Sequence, residues 1–472
     1  MKRRHFVFIF TCLSVFSIGC KKSNGTNSST PKVPSLFHQD ITIHENINGG
    51  EQPQKTLGLF QPLSEPSQII YVATRGRGEQ YAMGFRIGGI TKDSSLSWIK
   101  SYYLPGEMFQ YCTTAVMDHN DNILIGGNVF PSASNSYGSP FLMKLSKDGS
   151  ILWSKQTADT NWTSRGLVLK VLRNGDIAYV TYFGGSYFLY RLDANGNTIW
   201  TKTIYGSNEL GISPYVPEYG SNATISQMLE ETSDGSIFFG FASNEATPGQ
   251  DCLLKFSASG DFLLGKTFNI PGGESHQPAL LVTENDDIIY FNQKSSPLAK
   301  PYFLVLSINM EIKMMKACDL DVIPWNNVEQ LNYNNGKIYL STAANYELCS
   351  YTFDGSLNLL SSIKTLATDQ FPADYGGVFI VDSSQNAVYS IQDIAGMQGD
   401  GNGFQYLKTD MKGLSCHTYV DAVVPMTLSP ITTTLNDLTL TIVDASFPFS
   451  KNLNWSALYP LITSSETACS KN

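Results

Sequence analysis

The sequence predicts an all-β chain folded as a seven-bladed β-propeller of four-stranded antiparallel blades. Three observations predict it. One hairpin signature recurs along most of the chain, Asn-Gly and Asp-Gly pairs sit at hairpin centres, and the recurrence interval is long enough for four short strands. The signature is an apolar strand, a turn, then a strand carrying Trp and Lys. It stands as FLMKLSKDGSILWSK from Phe141, FLYRLDANGNTIWTK from Phe188 and CLLKFSASGDFLLGK from Cys252. Weaker copies read YFLVLSINMEIKMMK, LCSYTFDGSLNLLSS and FQYLKTDMKGLSCHT, and a degraded first copy ends in SSLSWIKSY.

With the turn glycine as reference, the register positions are Ser94, Gly149, Gly196, Gly260, Met310, Gly355 and Gly413, at intervals of 55, 47, 64, 50, 45 and 58 residues. A second hairpin precedes several of these: Leu167–Tyr182 around Asn174-Gly175, Ile225–Phe241 around Asp234-Gly235, and Val328–Leu340 around Asn335-Gly336. Asn-Gly and Asp-Gly supply positive φ at both central positions and close two-residue turns. Each repeat is therefore two hairpins, strands A-B and C-D. Counting outward from Asp148-Gly149 pairs residue 147 with 150 and sets Lys144 opposite Trp153; the same count sets Arg191 opposite Trp200. A cation over an indole face contributes about 0.5–1 kcal/mol at exposed sites. Repetition at an equivalent place in each blade assigns the pair to blade-to-blade packing.

The pattern K-L-D-x-x-G-x-x-x-W-x-K resembles the repeat of bacterial propellers of the pyrroloquinoline-quinone-like and related classes. It is similar to the propeller lipoproteins of Bacteroidetes envelopes, and the resemblance covers roughly residues 67–420. It implies the fold and leaves the chemistry open, because that fold hosts enzymes, scaffolds and binders.

The N-terminus reads as an address. Lys2, Arg3 and Arg4 precede an apolar run from Phe6 to Ile18, a basic segment and an apolar segment of secretory-signal proportions. Gly19-Cys20 resembles a bacterial lipoprotein processing site, with Cys20 acylated after cleavage; Ser17 departs from the usual leucine three residues before the cysteine. The expected organisation is a signal at 1–19, a flexible Ser-, Asn- and Pro-rich tether at 20–36, the propeller at 37–425, and a C-terminal extension at 426–472 packed on it or closing it. Localisation follows as an outer-membrane lipoprotein of the cell envelope, periplasm-facing or surface-exposed. Without residues 1–19 the chain carries 29 Lys and Arg against 41 Asp and Glu, net −12, which argues against nucleic acid or an anionic membrane face as partner. The partners expected are a lipid bilayer through acylated Cys20 and a protein or glycan ligand.

The search for catalytic chemistry yields no catalytic residue, cofactor or metal assignment. The six histidines show no ligand spacing, and His417 occupies the Trp position of the last copy. Asp118–Asn122 begins like a calcium loop but lacks glycine at its sixth position and a glutamate at its twelfth, so it reads as an A-B turn. Gly396–Gly403 precedes a strand rather than a helix, which removes the phosphate-loop mechanism. Besides Cys12 and Cys20, six scattered cysteines form no C-x-x-C pair; Cys416 and Cys469 could tie down the C-terminus, and buried free thiols are the other reading.

Strand parity locates a binding face. A-B and C-D turns lie at one end of a four-strand meander, and the longer B-C and D-A connections at the other. That end presents Trp162, Arg165, Tyr215, Tyr219, His276 and Trp325, the candidate ligand-binding residues. Aromatic side chains among carboxylates suit sugar stacking or protein contacts, and plugging of the loops against the blades is the other reading. The expected function is a non-catalytic binding or scaffolding module. Its alternatives are a glycan-capture lipoprotein, a quinone-dependent or polysaccharide-acting enzyme, and an assembly factor for outer-membrane proteins.

Overall fold

The computed structural model describes residues 37–44, 56–74, 84–92, 96–104, 109–130, 138–157, 164–183, 186–205, 213–214, 227–244, 250–269, 278–292, 301–320, 327–344, 347–366, 377–382, 384, 387–394, 402–410, 426–430, 435–437, 442–444, 449–452, 456–458 and 461–468. Among the described residues the secondary-structure elements are all strands. The first sheet is the meander Thr56–Phe60, Gln68–Thr74, Phe85–Thr91, Leu96–Tyr103, and the second is Phe109–Met117, Ile123–Phe130, Ser139–Leu145, Ile151–Thr157. The third is Ser164–Val171, Ile177–Phe183, Ser186–Leu192, Thr198–Tyr205, and the fourth is Leu229–Glu231, Ile237–Asn244, Gln250–Phe256, Phe262–Asn269, with Ser213–Pro214 also on its second strand. The fifth is Ala279–Val282, Ile288–Asn292, Tyr302–Leu306, Ile312–Leu320, and the sixth is Asn327–Asn334, Lys337–Ala344, Glu347–Asp354, Leu359–Leu366. The last contains Gly377–Asp382, Ala387–Ile394 and Asn402–Asp410, and its outer strand is the N-terminal Phe37–His44.

The innermost strands touch one another in chain order, and Gly377–Asp382 touches Thr56–Phe60, so the sheets close into a ring. The fold is a β-propeller. Core side chains cluster between neighbouring sheets: Ile70 and Phe85 pack with Ile123 and Phe141, and Tyr71 and Ile69 pack with Tyr389 and Tyr406 across the closure. Burial of these large side chains, each worth about 1.5–3 kcal/mol, welds the radial sheets.

Two corrections concern composition of the sheets. The expectation of seven uniform four-stranded blades is overturned: among the described residues only the sixth sheet is four-stranded, and six sheets carry an added strand. The added strands come from one C-terminal stretch. Met426–Pro430 pairs with the outer strand of the fifth sheet, Leu435–Asp437 with the fourth, Ile442–Asp444 with the third, Phe449–Asn452 with the second, and Ser456–Leu458 with the first. Leu461–Ala468 then pairs with Phe37–His44. From the fifth sheet to the third the register advances seven residues per sheet, with Lys316 opposite Pro430, Lys266 opposite Asp437 and Lys202 opposite Asp444; at the second, where the strand carries a register shift, Lys155 stands opposite Asn452, eight further on. Seven extended residues reach about 23–25 Å, enough to pass from one outer edge to the next. The second correction concerns the copy around Gly413. The outer neighbour of Asn402–Asp410 is Phe37–His44, so the N-terminus supplies the strand that Cys416 and His417 were expected to occupy; those two residues lie outside the described ones.

The turns also differ from expectation. Around Gly149 the amide of Gly149 bonds the Ser146 carbonyl and that of Ser146 bonds the Ser150 carbonyl, both at 2.9 Å, and in this turn only Gly149 has positive φ, at 78°. This is a three-residue loop, residues 147–149, whose last residue is left-handed, not a two-residue turn. A register shift between Lys144 and Leu145 then restores the pairing of Lys144 with Trp153, and one after Arg191 does the same for Trp200. Asn335-Gly336, with φ of 51° and 74°, does form the two-residue turn. In the sixth sheet Leu357, at φ 57°, takes the left-handed position, which displaces the reference residue two places from Gly355.

Candidate functional site

The repeated Lys and Trp residues clamp neighbouring sheets. A Cβ at Gly149 would lie 3.2 Å from the Trp98 ring, one at Gly196 2.8 Å from the Trp153 ring, and one at Gly260 2.9 Å from the Trp200 ring. Each indole therefore covers the C-D turn of the next sheet. The lysine two residues on holds the same turn: Lys100 Nζ donates to the Asp148 carbonyl at 2.7 Å, and Lys155 Nζ to Asn197 Oδ1 at 2.8 Å. Over Trp98 and Trp153 the cation comes from this lysine, with Lys100 5.6 Å from the Trp98 centroid and Lys155 5.7 Å from that of Trp153. Lys144 and Arg191 stand opposite Trp as expected but do other work. Lys144 Nζ meets Asp118 Oδ2 at 2.7 Å and the Ala194 carbonyl of the next sheet at 3.2 Å. Arg191 likewise joins Asp176, at 2.8 Å, to the Ala258 carbonyl.

The A-B turn reading of Asp118–Asn122 holds in the geometry: Asp121 is left-handed and the Asp118 carboxylate accepts the Asn120 and Asn122 amides, each at 2.8 Å. Burial opposes ionisation of Asp118, but hydrogen bonds from Lys144, Asn122 and Asn120 outweigh it and hold the carboxyl below its ordinary range. Backbone and side-chain bonds within the turn act the same way on Asp354, where Asn358 dominates.

Strand bounds set the two ends of the ring apart. Most of the A-B and C-D turns are short and hydrogen-bonded across their closing residues. Connections at the other end range from residues 184–185 to residues 206–228. Of the candidate rim residues, Trp162, Tyr215, Tyr219, His276 and Trp325 lie outside the described residues. Arg165 stands near the start of Ser164–Val171, in register with Tyr182, so it is at the long-connection end of an innermost strand. Beneath that end lies a polar group the sequence did not flag. The fully buried Asp251 carboxylate accepts Asn292 Nδ2 at 2.6 Å, Tyr290 Oη at 3.1 Å, and the Tyr302 hydroxyl. Burial, and then the Asp251 charge, pushes both phenols well above their ordinary value.

A cavity of about 430 Å³ occupies the ring axis, lined by innermost strands of six sheets. Register shifts in four of those strands, between Thr56 and Gly58, Cys112 and Thr114, Gly166 and Val168, and Val328 and Gln330, bend the wall. Gln227 stitches three sheets: its carbonyl accepts Leu280 N at 2.7 Å and its Oε1 accepts Leu331 N at 2.8 Å. Gln330 Oε1 accepts Phe379 N at 2.8 Å. Lys170 Nζ donates to both Glu230 oxygens at 2.8 Å. These residues carried no motif; their signal was a polar residue at an inward position of an A strand. Among the described residues no group of three His, Cys, Asp or Glu side chains could hold a metal ion. Cys112, Cys252 and Cys318 are buried, and burial raises the thiols of Cys112 and Cys318.

No protein-family model and no curated protein matches the chain. Solved structures do. The chain is similar to an α-L-arabinanase of Penicillium chrysogenum in complex with arabinobiose, at 11% identity and TM-score 0.42, covering 80% of this chain and 99% of that one. It is similar to the β-propeller domain of the Trilobed protease from Pyrococcus furiosus, at 10% identity and TM-score 0.40, covering 77% and 98%. A protein of unknown function from Dyadobacter fermentans gives 10% identity and TM-score 0.41, covering 80% and 100%. At these scores the likenesses carry no argument about activity.

Proposed function

We propose that the chain is an envelope lipoprotein whose propeller is a non-catalytic binding or scaffolding module, anchored through acylated Cys20. The observation that supports a binding role is the asymmetry of the ring: turns of two to seven residues, most of them hydrogen-bonded, at one end, and connections of up to 23 residues at the other. Long loops on a rigid scaffold are where recognition concentrates. The rim residues Trp162 and Trp325 are its best single anchors, because Trp dominates binding hot spots. The test captures partners from solubilised envelopes with the full chain and with Trp162→Ala and Trp325→Ala, folding being confirmed by circular dichroism. Partners retained at full affinity by both variants sink the rim assignment. Separately, Cys20→Ser is expected to move the protein from the membrane to the soluble fraction; a variant that stays membrane-bound sinks the anchor.

A further inference from the structure

The axial cavity carries a charge pair that packing does not call for. Lys170 and Glu230 sit on neighbouring innermost strands, and they are the charged members of the cavity's described lining. The wall around them is neutral, with Phe60, Val116 and Ile380 on the apolar side and Asn332 among the polar residues. Bringing an ion pair to such a wall costs desolvation that its own attraction roughly offsets, and apolar residues of similar size would pack there without that cost. The Lys170 side chain is 35% exposed and that of Glu230 9%, so the pair borders open volume.

An ammonium beside a carboxylate is complementary to a molecule carrying the same two charges in the opposite order. Its carboxylate would meet Lys170 and its ammonium Glu230, in charge-assisted hydrogen bonds. The apolar arc would take a hydrocarbon group, and about 430 Å³ lies within the roughly 300–1,000 Å³ range of small-molecule sites. We propose that the axial cavity binds a small zwitterion with an apolar side chain, of which an apolar α-amino acid is the simplest form. This site is independent of the rim loops and of the anchor.

The test is calorimetric titration of the full chain with leucine, methionine and phenylalanine. Leucinamide, which lacks the carboxylate, and 4-methylpentanoate, which lacks the ammonium, serve as one-charge analogues of leucine. At least one amino acid is expected to bind with a Kd below about 1 mM. Each one-charge analogue is expected to bind at least tenfold more weakly than leucine if leucine binds, or than the amino acid that does through its own amide and deaminated acid. Lys170→Met/Glu230→Met removes both charges together, leaves neither unpaired, and is expected to lose at least tenfold in affinity. No binding by any of the three amino acids overturns the proposal, as does equal binding of the one-charge analogues. Unchanged affinity in a folded double variant overturns it too; if that variant fails to fold, the analogue comparison on the native chain decides.

Discussion

Two glycines separate backbone strain from the Trp clamp. Gly175 and Gly196 both adopt left-handed backbone, at φ 88° and 73°. A Cβ at Gly175 would have nothing within 4 Å, whereas one at Gly196 would lie 2.8, 2.9 and 3.2 Å from three carbons of the Trp153 ring. Alanine in this conformation costs roughly 1–2 kcal/mol, and that is the whole expected loss for Gly175→Ala. Gly196→Ala adds the displacement of a half-buried indole that Lys155 also covers. Overpacking of this kind costs typically about 1–3 kcal/mol, so the total is about 2–5 kcal/mol. Urea unfolding of both variants, followed by far-ultraviolet circular dichroism, measures the difference. A Trp153→Ala background should bring the two glycine substitutions to the same cost. Equal losses from Gly175→Ala and Gly196→Ala in the native background would refute the clamp.

Other expectations rest on separate features. Trp200 is half-buried, covers the Gly260 turn and donates its Nε1–H to the Ala258 carbonyl at 3.2 Å, so Trp200→Ala should cost about 2–3 kcal/mol in the same urea assay, somewhat less than a fully buried Trp would. Asp118, Asp193 and Asp354 have carboxyls held below their ordinary value in the folded state. Their contribution is complete above the unfolded carboxylate pKa of about 4 and is lost as pH falls through the lower folded values. Melting temperature should therefore drop on acidification below about pH 4, and Asp118→Asn should flatten that drop. Deleting residues 426–472 strips an added strand from six sheets, and is expected to lower the melting temperature and speed proteolysis; an unchanged melt would mean that the C-terminal strands contribute no stability.

The sequence made the radial repeat legible because Asp-Gly and Asn-Gly punctuate it and because Trp153 and Trp200 recur in register. It misled on turn type, since Gly149 alone supplies the left-handed residue that Asp148-Gly149 was expected to share. Leu357 shows why weak copies slip: a left-handed leucine has no signature, and Gly355 two places earlier attracts the alignment. The last outer strand was illegible because FQYLKTDMKGLSCHT looks complete, while its partner lies at the opposite end of the chain. The added strands had a faint trace in Leu428, Leu435, Ile442 and Phe449, spaced by seven, a period that belongs to ring geometry rather than to any strand. The cavity charges were hidden because one Lys and one Glu on separate strands meet only after the ring closes.

The strand Phe37–His44 lies between Asn402–Asp410 and Leu461–Ala468, so both of its neighbours are made more than 350 residues after it. A chain emerging in order, N-terminus first, holds this strand without either ladder until residue 402 and beyond are available. Every earlier sheet can form its meander, and Gly377–Asp382 can meet Thr56–Phe60, from residues already at hand, but the last sheet still lacks its outer strands. Completion of the last sheet is thus a late event, in which Phe37–His44 is enclosed between two strands far from it in sequence. A product truncated before residue 402 leaves Phe37–His44 with neither of its strand neighbours.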